Sequence, residues 1–184
     1  MINEKKLKKE LSNLPEGWIV LLETTAEDAF KAGLAATKIL VNKEYKAIIL
    51  SASRPCSNLL ELYKKNSIDI KKIFVLCCVC KSQGIKPKEY ENVLHLENAT
   101  ALTNISLSLN KAIDLIKGNK FIFIDSITTM LIHNKPDILT KFIHSILTKM
   151  RMNKISGLLI SLEEETNKEV RAEIAQLCDR VIKV

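Results

Sequence analysis

Six short runs, GWIVLLE (17–23), KAIILSA (46–52), KIFVLCCV (72–79), KFIFID (120–125), ISGLLIS (155–161) and DRVIKV (179–184), carry their charges only at the ends. A half-exposed strand alternates apolar and polar side chains; these do not, so they suit strands covered on both faces. Between them the apolar period lengthens to that of a helix. Phe30, Leu34, Ala36 and Leu40 form one stripe, and Leu102, Ile105, Leu109, Ile113 and Ile116, before Gly118, form a second. Leu139, Phe142, Ile143, Ile146, Leu147 and Met150 follow the start signal Pro136-Asp137, and Val170, Ile174 and Leu177 make a fourth stripe. Strands alternating with helices imply right-handed crossovers. The expected fold is α/β: three layers, a mostly parallel six-stranded sheet and helices on both faces.

No Gly/Ser-rich linker or repeat divides the 184 residues, so 1–184 reads as a single domain. Residues 1–13 read as a basic leader, amphipathic over 4–12. The longest apolar run, Ile73 to Cys80, is far shorter than a membrane span needs. The start MINEKKLKKE lacks the apolar stretch of a signal peptide. No membrane partner and a cytoplasmic location are therefore expected. The net charge is +7, yet only four of the 28 basic residues are arginine, the side chain that performs most bidentate phosphate and base recognition. With aromatic residues at 5% there are few platforms for stacking bases, and no basic tail is expected beyond Val184, so nucleic acid is a weakly supported partner.

Ligands of parallel α/β sheets bind beyond the carboxyl ends of the strands. After the first run comes TTAEDAF, where Thr24 and Thr25 followed by Glu27 and Asp28 read as a capping box that satisfies the helix's own N–H groups. The five cysteines are an odd number and suggest reduced thiols. Within CCVC (77–80), Cys77 and Cys80 would point to opposite faces of a strand, while Cys56 and Cys178 stand alone. The segment thus reads as small buried fillers with no metal. His95, His133 and His144 are scattered, and no nucleophile pairing stands out.

LPEGWIVLLE, ILSASRP, FIFIDSITTMLIH, KFIHSILTKMRM and LLISLEEETNKEVRAEIAQLCDRVIKV together resemble the RecA/KaiC-like P-loop ATPase superfamily, in particular its archaeal KaiC-like branch, over nearly the whole chain. The resemblance implies that the 120–125 strand lies beside the 155–161 strand, and that one beside the first. Registered on the second strand, it places the phosphate loop on Glu23 to Phe30. Glu23 and Asp28 then stand where the loop's glycines belong, Ala29 in place of the phosphate-gripping lysine, and Phe30 in place of the magnesium-binding hydroxyl. Ser53 and Arg54 occupy the position of the glutamate that polarises the attacking water. Asp125, with Ser126 after it, matches the metal-orienting aspartate.

A phosphate cradle needs glycines that let successive N–H groups turn toward the anion, and a cation to neutralise it. This sequence instead offers carboxylates, each opposing a nearby phosphate by on the order of 1 kcal/mol even in water. The expectation is a pseudo-ATPase with a degenerate nucleotide site: not an enzyme, without catalytic residues or cofactor, and acting through a protein partner or self-association. Two alternatives are an ATPase with an altered phosphate loop and a nucleic-acid-binding module.

Overall fold

The computed structural model describes residues 3–84, 86, 88–164 and 166–184. Seven strands form one parallel sheet: β1 (Ile19–Thr24), β2 (Lys46–Ser51), β3 (Ile73–Cys77), β4 (Val93–His95), β5 (Lys120–Asp125), β6 (Ser156–Leu162) and β7 (Arg180–Lys183), in the order β4-β3-β2-β5-β6-β1-β7. β5 lies beside β6 and β6 beside β1, as the resemblance implies. The strand missing from the six-strand expectation is β4. Its three residues are only partly covered, so it carries no continuous apolar run, and it exists by pairing in parallel with β3 through Val75–Val93, Leu76–Leu94 and Cys77–His95.

The helices are α1 (Glu4–Glu10), α2 (Ala29–Val41), α3 (Cys56–Lys65), α4 (Leu102–Leu115), α5 (Ile127–His133), α6 (Pro136–Met152) and α7 (Lys168–Gln176). The two-residue period of the strands sorts their side chains into two cores. Ile19, Leu21, Ile48, Leu50, Ile122 and Ile124 join apolar residues of α4 to α7 on one face. Val20, Leu22, Ile49, Phe121, Phe123 and Ile160 join those of α1 to α3 on the other. The two faces also divide the cysteines: Cys78 belongs to the first core, whereas Cys56, Cys77 and Cys80 belong to the second.

The basic leader is docked along its helical part. Leu7 and Leu11 are buried in the second core, Arg180 Nη1 meets Glu10 Oε2 at 2.9 Å, and Lys6 Nζ donates to the Lys183 carbonyl. Its lysines stay exposed because an amphipathic helix buries one stripe and leaves the rest to water. Among the described residues no helix is long and apolar enough to cross a membrane.

Candidate functional site at the strand ends

Because β2, β5, β6 and β1 are adjacent and parallel, their carboxyl ends bring most of the sequence-selected residues to one edge of the sheet. They form two clusters. In one, Ser53 Oγ donates to Asp125 Oδ2 at 3.1 Å, and the Arg54 guanidinium lies 4.2 Å from the centre of the Phe30 ring. The loop that carries them is fixed from below, where Ser51 Oγ donates to the Arg54 carbonyl and Ala52 N–H to that of Asp125. Ser126 is the N-cap of α5, its Oγ accepting the Thr129 N–H at 3.2 Å.

In the other cluster Glu23, only 7% exposed, faces two cations: Arg171 Nε and Lys183 Nζ each lie 3.6 Å from its carboxylate. Lys183 also meets Glu163 Oε1 at 2.8 Å, and that contact raises the lysine pKa and lowers that of the glutamate. Arg171 and Lys183 were not among the residues the sequence singled out. They come from α7 and β7: the β1–β7 pairing sets Lys183 opposite Glu23, and the packing of α7 brings Arg171 to it.

The structure corrects the capping box. Thr24 is still within β1, and its buried hydroxyl finds no hydrogen-bond partner among the described residues. A turn over residues 25–28 follows, in which the Thr25 backbone carbonyl accepts the N–H groups of Asp28 and Ala29. The N-cap of α2 is Asp28, which makes no capping hydrogen bond and instead pairs with Lys31 at 3.3 Å. The box fails because the strand runs one residue further and the helix starts later than the local pattern suggests. Beyond this turn α2 lies close to the sheet. A Cβ added to Gly33 would come within 2.8 Å of Phe123 Cζ and 3.0 Å of Ile160 Cδ1. The space enclosed by Ala29, Phe30, Gly33, Leu59, Tyr63 and Asp125 is a cavity of about 10 Å³.

Burial raises the pKa of Asp125, with the Ser53 hydrogen bond and the Arg54 charge opposing. A carboxyl whose pKa is higher folded than unfolded lends stability below the unfolded value of 3.8 and loses it as pH rises through the folded value. Asp125→Asn is therefore expected to raise the urea midpoint at pH 7, with the gain shrinking toward acid pH. A variant less stable than the parent at pH 7 would refute this account.

The cysteine expectation is corrected as well. β3 ends at Cys77, so Cys80 lies in the turn beyond it, where the rule of opposite faces no longer applies. Cys56 is not isolated: as the first residue of α3 it brings its sulfur to 3.8 Å from that of Cys80, which is 3.4 Å from that of Cys77. His95, at the end of β4, completes a group of four side chains whose ligand atoms all lie within 4.8 Å of one another. The parallel register that sets Cys77 opposite His95 is invisible in the linear spacing. Among the described residues this is the group with the donor set to hold a metal.

Comparison with known proteins places this geometry. The KaiC-like protein PH0186 from Pyrococcus horikoshii OT3, a hyperthermophilic archaeon, superposes with a TM-score of 0.67 at 11% identity, covering 94% of this chain and 73% of its own. The uncharacterized protein PH0321 from Pyrococcus horikoshii, solved in complex with an unknown peptide, superposes at 0.65 with 14% identity, covering 97% and 82%. At such identities the likeness shows the fold alone. No curated protein matches. The sequence family described as the KaiC ATPase matches residues 26–184, from the turn before α2 to the last residue, and the chain therefore belongs to the KaiC ATPase family.

Proposed function

We propose that this chain is a non-hydrolysing member of its family that acts by binding protein, either its own copies or an active ATPase of the same superfamily. One observation carries the reading: the gap beneath α2 beside Asp125, lined by Phe30, Gly33 and Tyr63, is a void of about 10 Å³ with no room for a ligand of its own. A cavity that encloses a small ligand has about 300 Å³ or more. The surrounding charges agree. Where a triphosphate would need N–H donors and a free lysine, Glu23 presents a carboxylate whose two cations are already engaged, and the Arg54 guanidinium rests on Phe30. The protein-binding part draws on Leu94, Leu107 and Leu115, exposed by 39% to 73%, which line one groove beside β4. The peptide held by the Pyrococcus neighbour PH0321 is in keeping with such a role on this fold.

A titration of the purified protein with fluorescently labelled ATP and magnesium tests the reading. No saturable binding is expected up to about 1 mM. Saturation at micromolar nucleotide would overturn it in favour of an ATP-binding domain with an altered loop.

A further inference from the structure

Four side chains from three separate elements converge at the carboxyl end of β3. Cys77 ends the strand, Cys80 sits in the turn after it, Cys56 begins α3, and His95 ends the edge strand β4. All three cysteines are at most 3% exposed. The sulfurs of Cys56 and Cys77 lie 3.8 and 3.4 Å from that of Cys80. Tetrahedral zinc with Zn–S bonds of about 2.3 Å sets its sulfurs about 3.8 Å apart. The pair Cys77-Cys78-Val79-Cys80 also has the C-x2-C spacing that wraps two thiolates around one zinc ion.

The imidazole supplies the decisive detail. His95 Nε2 lies 3.2 Å from the Lys88 carbonyl oxygen, which can only accept, so Nε2 carries the proton. That tautomer leaves Nδ1 with a free lone pair. Nδ1 is buried and without a hydrogen-bond partner among the described residues, and it belongs to the group whose ligand atoms all lie within 4.8 Å. A buried acceptor with nothing to accept is costly, whereas a metal ligand whose other nitrogen donates to a carbonyl is the usual arrangement of a coordinating histidine.

We infer that Cys56, Cys77, Cys80 and His95 form a structural zinc site that clamps β4 and the start of α3 to the end of β3. The donor set of three thiolates and one imidazole favours zinc over the hard cations, which take oxygen ligands. Four protein ligands leave no open position for substrate, which marks the site as structural rather than catalytic. Binding releases the three thiol protons and leaves one net negative charge on the complex. The clamp also accounts for β4, a three-residue edge strand with little apolar burial of its own.

Cys78 provides the internal control. It sits between two of the ligands yet packs into the opposite core, with Ile48, Leu76 and Ile105. The test is metal analysis of the full chain, produced with zinc in the medium and purified under reductant without chelator. About one zinc ion per chain is expected for the parent protein and for Cys78→Ala. His95→Ala should weaken zinc binding by well over tenfold, since outer-shell partners alone are worth about 10–100-fold. His95→Cys should restore it as a four-thiolate site. Cobalt added to the metal-free parent should give the intense visible absorption of a tetrahedral thiolate complex. One result would overturn the inference: less than about a tenth of a zinc ion per chain with no tetrahedral cobalt spectrum. If His95→Ala fails to fold, the comparison of His95→Cys with Cys78→Ala still decides, because equal zinc loss in both would remove the assignment.

Discussion

Incubated with ATP and magnesium, the protein is expected to release phosphate no faster than buffer does, and Asp125→Asn is expected to leave that rate unchanged. Phosphoryl transfer is catalysed almost wholly by positioning and charge stabilisation, so it fails when the parts that position the phosphates are absent. On the register that the sequence resemblance implies, Ala29 and Phe30 would stand where the family pattern has the lysine and the magnesium-binding hydroxyl, and Arg54 where it has the glutamate that orients water, and the proposed function rests on that register. What remains is Asp125, and its carboxylate already accepts the Ser53 hydroxyl beside a cavity of about 10 Å³. An active enzyme would lose turnover by orders of magnitude when its metal-orienting aspartate became an amide. Phosphate release by the parent that disappears in Asp125→Asn would therefore reverse the proposed function. The stability gain expected for the same variant at pH 7 guards against a trivial explanation, since a folded variant is being compared.

The parts of this molecule that were legible in the sequence are those governed by period. Five of the six apolar runs declared themselves without a partner, because burial on both faces is written into them residue by residue; DRVIKV departs from that expectation, since β7 is an edge strand in which Ile182 is buried while Val181 is 40% exposed. The stripes of α2, α4, α6 and α7 were readable for the same reason. β4 was not, since Val93–His95 is a strand only because β3 offers an edge. The site divides in the same way. Asp125 at a strand end and the absence of glycine between Gly17 and Gly33 are local facts. The neutralisation of Glu23 by Arg171 and Lys183, and the meeting of Cys56 with Cys77, Cys80 and His95, depend on which strands lie side by side. For the cysteines a correct rule of strand geometry misled, because β3 stops at Cys77 and Cys80 lies past its end. For Thr24 a correct capping preference misled, because the strand claimed the residue first.

Gly33→Leu should be among the most destabilising single changes on this face, by about 3 kcal/mol, since forcing bulk into a packed core costs about 1–3 kcal/mol and this one meets a ring. Gly33 lies inside α2, where alanine would be worth about 1 kcal/mol more than glycine from helix propensity alone. Propensity therefore argues for a larger residue, and packing must be what opposes it. The opposition is local: an added Cβ would stand 2.8 Å from Phe123 Cζ and 3.0 Å from Ile160 Cδ1, both on side chains buried to within 2%. Both must shift to admit a side chain, and the neighbouring void of about 10 Å³ is at most the size that holds one water. Phe123→Leu shortens the obstructing side chain, so the double variant should be more stable than the sum of the two single losses, with a coupling of about 1 kcal/mol or more in urea unfolding. The same measurement bears on function. If Gly33→Leu proved neutral, α2 would not be held tightly against Phe123 and Ile160, and the closed packing beside Asp125 would lose its support. A loss of about 3 kcal/mol, relieved by Phe123→Leu, fixes the helix against β5 and β6 and keeps that packing closed.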